Sequence, residues 1–172
     1  MKLSPDPLIT QQQIASRVGE LAREIKNAYG DEELILLCVL VGAVHFTSDL
    51  MRALQRPASV EFIRAKRYDG TRAAEEVKFL LHPARDLQNR HVLLVEDILD
   101  TGITAKAILD YLRTMGIASL KCCTLLDKPS RREVEVEADF VGFTIPDRFV
   151  VGYGMDVDEA FRELPDIFTL ET

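Results

Sequence analysis

The sequence predicts an α/β fold: a single doubly wound domain over residues 1–172, with a central, mostly parallel sheet flanked by helices. Three observations carry that prediction. Unbroken apolar runs of strand length begin at Leu34 and Val92, as strands buried on both faces require, and a further strand-length stretch begins at Leu120. Positions of helical period lie between them, the alternation of parallel strands with their crossover helices. Acidic and small residues cluster where the Val92 run ends, and open α/β sheets take their ligands at the carboxyl ends of strands.

Taken in order, Thr10 with Gln13 has the spacing of a capping box, and Ile14, Val18, Leu21, Ala22 and Ile25 recur behind it as the buried stripe of a first helix. After Asp31 to Glu33, LILLCVLVG reads as a buried strand ending at Gly42, and a second helix runs through Phe46, Leu50 and Leu54. Ser59 to Arg64 and Val77 to Leu81 read as strands around AKRYDGTRAAEE, a charged, glycine-containing loop. Val92 to Val95 is the next strand. A third helix follows through Ala107, Ile108, Tyr111, Leu112 and Met115, with Gly116 as its stop. Leu120 to Leu126 then reads as a strand that delivers Asp127 and Lys128.

Composition narrows the function classes. Lys and Arg number 21 against 28 Asp and Glu, and a net charge of -7 argues against nucleic acid as a whole-surface partner. The longest strongly apolar run, Leu34 to Val44, falls short of the roughly 20 residues of a membrane helix, and no secretory signal is visible, so a soluble protein is expected. Cys38, Cys122 and Cys123 are odd in number, lie in apolar stretches and lack C-x-x-C spacing. They read as reduced core thiols of a cytoplasmic protein. His45, His82 and His91 are scattered without metal-ligand spacing, and no Ser-His-Asp or Cys-His triad is suggested.

The chemistry concentrates in HVLLVEDILDTGITAK, His91 to Lys106. A strand end, a small-residue turn and a helix N-terminus make a phosphate cradle, because free backbone N–H groups and the positive helix end both favour an anion. The turn lacks the lysine of a Walker loop, and the charges just upstream, Glu96, Asp97 and Asp100, are all negative. Carboxylates beside an anion site suit hydroxyl groups or a hydrated magnesium ion, and a sugar phosphate combines those parts. Asp97 and Asp100 as mere complements of the helix dipole are the bland alternative. Two adjacent acids plus a third, followed by T-G-x-T, favour a functional site.

VLLVEDILDTGITA closely resembles the ribose-phosphate-binding signature of the phosphoribosyltransferases, specifically the hypoxanthine-guanine phosphoribosyltransferases. LLDKPSRR from Leu125, VGFTIPDRFVVGYGMD from Val141 and FREL from Phe161 resemble that family's purine-binding and carboxyl-terminal segments, in the same order. The resemblance implies a type I phosphoribosyltransferase fold with a small hood formed by the N- and C-terminal segments. It implies 5-phosphoribosyl 1-pyrophosphate and a 6-oxopurine, hypoxanthine or guanine, as substrates, with Mg2+ as cofactor. It also suggests a homodimer or homotetramer.

Residue by residue, the resemblance puts the 5-phosphate on the turn Asp100, Thr101, Gly102, Ile103 and Thr104, and the ribose hydroxyls on Glu96 and Asp97, partly through magnesium. Asp100 matches the general base at purine N7, and Asp156 a carboxylate that reaches a second magnesium. Lys128 matches the donor to the carbon-six oxygen, Phe149 the stacking aromatic, and Val150 the main-chain reader of the ring edge. Val41, Gly42 and Arg162 match pyrophosphate contacts, the first two in a junction that often holds a cis peptide bond. The loop at Arg67 and Tyr68 matches a closing lid.

Two positions depart from the family pattern. Val41 stands where relatives usually carry Lys or Arg, and Arg67 replaces the serine of a Ser-Tyr pair; Arg67 could supply the charge missing at Val41. These departures support the alternative of a regulatory module that binds the ligands without turnover. The retained acids and Lys128 support an enzyme.

Overall fold

Thr10 opens the first helix as its spacing predicts. In the structure of the protein, a computed structural model describing residues 2–68 and 76–171, Thr10 Oγ1 accepts from Gln13 N at 3.3 Å and Gln13 Oε1 accepts from Thr10 N at 2.8 Å. Helix α1, Gln11–Tyr29, buries the predicted stripe, and Arg17 ties it to the sheet by donating to Gly142 O at 2.9 Å and Val141 O at 2.8 Å. The other helices are α2, Val44–Leu54, and α3, Ile103–Arg113.

The strands are β1 (Lys2–Leu3), β2 (Leu34–Val39), β3 (Ala58–Tyr68), β4 (Glu76–Leu81), β5 (His91–Leu99), β6 (Ser119–Asp127), β7 (Phe140–Thr144), β8 (Val150–Val151) and β9 (Phe168–Glu171). Six form the main sheet in the order β4, β3, β2, β5, β6, β7, parallel except for the antiparallel edge strand β4. Alternation along β2 shows why its apolar run is unbroken. Leu34 and Leu36 pack into one core with α1 and α2, while Ile35, Leu37 and Val39 pack into the other with α3. The chain winds outward from β2 to β3 on one side and from β5 through β6 to β7 on the other. The carboxyl ends of β2 and β5 therefore meet at a topological switch point, where a crevice opens.

The hood is an antiparallel sheet in the order β1, β9, β8, which pairs the two chain ends with the segment after Phe149. Among the described residues no helix is long and apolar enough to cross a membrane. All three cysteines are buried, free thiols.

Two local predictions shift. Helix α3 ends at Arg113 rather than at Gly116, and turn residues carry the chain to Gly116, which takes φ 65°. Strand β3 continues through Tyr68 where a loop was expected from Ala65, because pairing with β4 extends it past the end of β2. The rest of that loop, including Arg72, lies outside the described residues, as does the Tyr68 side chain.

Candidate active site

A cleft of about 550 Å3 opens over the carboxyl edge of the main sheet, and each strand brings one kind of group to it. From β3 come Arg64 and Lys66; from the end of β2, Val41 and Gly42. Strand β5 brings Glu96 and Asp97, the turn after it Asp100, Thr101, Gly102 and Thr104, and β6 leads to Lys128. Phe149, Val150, Asp156 and Arg162 close the far wall from the hood side. The side chain of Ile103 is not part of the lining; it starts α3.

The turn from Asp100 to Thr104 is held by packing and by one arginine. Gly102 has φ 84°, and a Cβ there would stand 2.4 Å from Val136 Cγ1, so both the backbone and the space demand glycine. Arg132, which the sequence reading did not single out, donates to Leu99 O at 2.9 Å and to Asp100 O, and pairs with Asp127. It locks the end of β5 to the end of β6 beneath the turn. Its place in the KPSRR run beside Lys128 was the available signal.

Of the two adjacent acids, Glu96 is buried and Asp97 half-buried at the floor of the cleft. Glu96 is 8% exposed, and its Oε2 has no hydrogen-bond partner among the described residues. Burial pushes its carboxyl well above the ordinary range, with the neighbouring charge of Asp97 adding to the shift. Burial raises Asp97 as well, against hydrogen bonds from the Ile98 and Asp97 amides. An orphaned carboxylate oxygen in a pair of adjacent acids fits a hard cation brought with an anionic ligand. Among the described residues no three side chains form a ready metal cage, and magnesium is usually held by one or two carboxylates together with phosphate oxygens.

The β2 turn is in direct contact with this pair. The Leu40–Val41 peptide bond is cis, as the resemblance implied, and a Cβ on Gly42 would lie 1.8 Å from Asp97 Oδ2. Arg162 donates to Gly154 O at 2.7 Å and pairs with Asp156 at 2.9 Å and Glu159 at 3.0 Å. Arg67 is not in the cleft lining. It points to the other face of β3, 3.9 Å from Glu133 Oε2, so the cations that reach the β2 turn from this strand are Arg64 and Lys66 instead.

At the opposite end, Lys128 is only 5% exposed, although the run KPSRR taken alone reads as a solvated turn. Its backbone N–H donates to Leu99 O at 3.0 Å, which sets the residue beside the end of β5. Phe149 is 56% exposed, a bare aromatic face on the cleft wall, while Val150 is buried. Arg131 Nε lies 3.2 Å from Asp100 Oδ1 at the rim.

A sheet with its crevice at the switch point, a turn at a helix N-terminus preceded by two acids, and a buried lysine in the same cleft as an exposed aromatic have the layout of a phosphoribosyltransferase. The family model described as "Phosphoribosyl transferase domain" matches residues 6–158. A hypoxanthine-guanine phosphoribosyltransferase of Aquifex aeolicus is 43% identical over 166 residues, covering 95% of this chain and 93% of the relative. A hypoxanthine phosphoribosyltransferase of Salmonella typhimurium is 43% identical over 168 residues, covering 96% and 94%. The crystal structure of a hypoxanthine-guanine phosphoribosyltransferase of Bacillus anthracis superposes with a TM-score of 0.94 at 38% identity, covering 99% of this chain and all of that one. The chain belongs to the phosphoribosyltransferase family, among its hypoxanthine-guanine members. It is thus an enzyme of the pentosyl-transferring class.

Proposed function

We propose that this enzyme salvages purines, joining hypoxanthine or guanine to the ribosyl group of 5-phosphoribosyl 1-pyrophosphate, with Mg2+ required and pyrophosphate released. The observation that carries this reading is the order of groups along the sheet edge: cations and an amide turn, then acids, then a phosphate turn, then a buried lysine beside an aromatic. These are the kinds of group that would recognise the pyrophosphate, the ribose hydroxyls, the 5-phosphate and the base of the reactants.

In this mechanism the turn from Asp100 to Thr104 holds the 5-phosphate with its N–H groups and the Thr101 and Thr104 hydroxyls. Glu96 and Asp97 hold the ribose hydroxyls and, with Asp156, are the residues that would hold magnesium, which neutralises the pyrophosphate when bound. The purine stacks on Phe149, is read along its edge by the Val150 main chain, and accepts from Lys128 at its carbon-six oxygen. The bond from C1 of the ribose to pyrophosphate breaks with its electron pair on the departing oxygen. N9 bonds to C1, and Asp100 takes the proton from N7. Alignment of the base with C1 in a cleft lined on both sides contributes much of the acceleration.

Buried free thiols suit a reducing cytoplasm, where we place the protein. Apolar side chains left exposed on α2, on β3 and on the edge strand β4, Val44, Met51, Phe62, Leu80 and Leu81, fit association into a homodimer or homotetramer. The testing experiment is a magnesium-dependent assay with 5-phosphoribosyl 1-pyrophosphate and each of hypoxanthine, guanine, xanthine and adenine. Nucleotide formation from 6-oxopurines but not adenine is expected. Ligand binding without turnover of any base would instead establish the regulatory module that Val41 and Arg67 suggest.

A further inference from the structure

We infer that Arg64 and Lys66 supply the positive charge at the leaving-group end of the cleft, in place of the basic side chain absent at Val41; this rests on the proposed reaction. Three features of the structure meet there. Strands β2 and β3 run in parallel register up to Val39 and Ile63, and Leu40 N then donates to Ile63 O at 2.8 Å. Strand β2 stops at Val39, but β3 runs on to Tyr68, so the residues after Ile63 pass alongside the turn Leu40 to Ala43. Pairing with β4 shifts register between Arg64 and Ala65 at this level, and register shifts of this kind re-aim side chains at the rims of sites. Arg64 and Lys66, two apart on one strand face, both line the cleft with Val41 and Gly42.

The charge inventory points the same way. Arg162, the other cation at this end, is already held by Asp156, Glu159 and Gly154 O. Lys128 is buried at the base end. Among the described residues neither Arg64 nor Lys66 has a carboxylate partner, and both are exposed to the cleft. A turn rich in amide donors but lacking a formal charge lies directly beside two uncommitted cations. A di-anionic or more highly charged phosphate group is the ligand this chemistry recognises, and pyrophosphate is the one the reaction delivers there. As the C1–O bond breaks, charge accumulates on the departing oxygen, so both cations bind the reactant and steady the product of that step.

The test uses Arg64→Met, Lys66→Met and the double variant, with magnesium pyrophosphate titrated calorimetrically and initial rates measured against each substrate. Loss of a charge-assisted contact is expected to weaken pyrophosphate binding and raise KM for 5-phosphoribosyl 1-pyrophosphate about 10- to 100-fold, with KM for hypoxanthine little changed. Arg64→Lys and Lys66→Arg, which keep the charge, should retain most of the affinity. Val41→Lys should restore affinity in the Lys66→Met background. Unchanged pyrophosphate affinity in the double variant overturns the inference, as does equal loss in the charge-retaining variants. Because calorimetry needs no turnover, a wild-type protein that binds pyrophosphate through these residues but forms no nucleotide would leave the inference standing and remove the proposed reaction.

Discussion

The guanidinium of Arg131 holds Asp100 from the rim of the cleft, with Nε 3.2 Å from Asp100 Oδ1 and Nη1 3.6 Å from Asp147 Oδ2. A short 3-10 turn, Pro129–Arg131, places it there, and Arg132 grips the Asp100 carbonyl from below. The acid is therefore fixed in both backbone and side chain before any ligand arrives.

That fixation suits a base that acts by alignment. Asp100→Asn keeps the shape of the site but cannot take a proton. Turnover should fall about 100- to 10,000-fold, while calorimetric affinity for 5-phosphoribosyl 1-pyrophosphate stays close to that of wild type. Single-turnover rates separate the two effects, and an unaltered rate would take Asp100 out of the role of base.

In the proposed reaction Lys128 would discriminate by its burial. The residue is 5% exposed, and there a 6-oxopurine would meet a donor, whereas an amino group would meet donor against donor. Lys128→Ala should cut kcat/KM for hypoxanthine about 10- to 100-fold, the worth of about 1–3 kcal/mol for an unpaired buried group. Selectivity over adenine, measured as the ratio of the two kcat/KM values, should shrink in step.

Gly42 has no room for a side chain. Its Cβ would collide with the Asp97 carboxylate, so Gly42→Ala must displace either the amide turn or the acid. A displacement of about 1 Å at a reacting site costs on the order of 100-fold in rate. The thermal midpoint should move far less than the rate, since Gly42 lies at the cleft and outside both apolar cores.

Burial also sets the alkaline behaviour of the fold. It pushes the Cys38 thiol up to about 11 and raises Cys122 and Cys123, so a thiol reagent at pH 8 should modify none of the three until the protein is unfolded. The Tyr29 phenol is raised by burial to about 12, against about 10 in an unfolded chain. Below pH 10 both states keep the proton. Between about pH 10 and pH 12 the unfolded state releases it first, so stability falls as pH rises. Denaturation midpoints of wild type should decline faster across that window than those of Tyr29→Phe.

What could be read from the sequence follows burial. Strand β5 and its turn were legible because a strand covered on both faces must be apolar throughout, and the acids of Glu96 and Asp97 interrupt that run only where it emerges. The Thr10 and Gln13 cap was legible because its signal is local. Strand β3 past Arg64 was not, since Lys66 and Arg67 stand on a strand that outruns its parallel neighbour and needs no unbroken apolar run there. Nor could any pattern announce the contact of Arg131 with Asp100, which are 31 residues apart and meet only through the pairing of β5 with β6. No local pattern announces that Phe149, at the edge of the apolar pair Val150 and Val151, stands 56% exposed on the cleft wall.

The hood ties the timing of assembly to the base pocket. Leu170 N donates to Phe149 O at 3.0 Å, and β9 is sandwiched between β1 and β8. During synthesis on the ribosome the turn after β5 can be locked only once Arg132 and Val136, beyond β6, have emerged. The shelf that bears Phe149 gains its backing only when β9 emerges and pairs with β8 and with β1, made well over a hundred residues earlier. A nascent chain stalled before that point would hold the locked turn after β5 while the Phe149 wall of the cleft lacked its neighbouring strand.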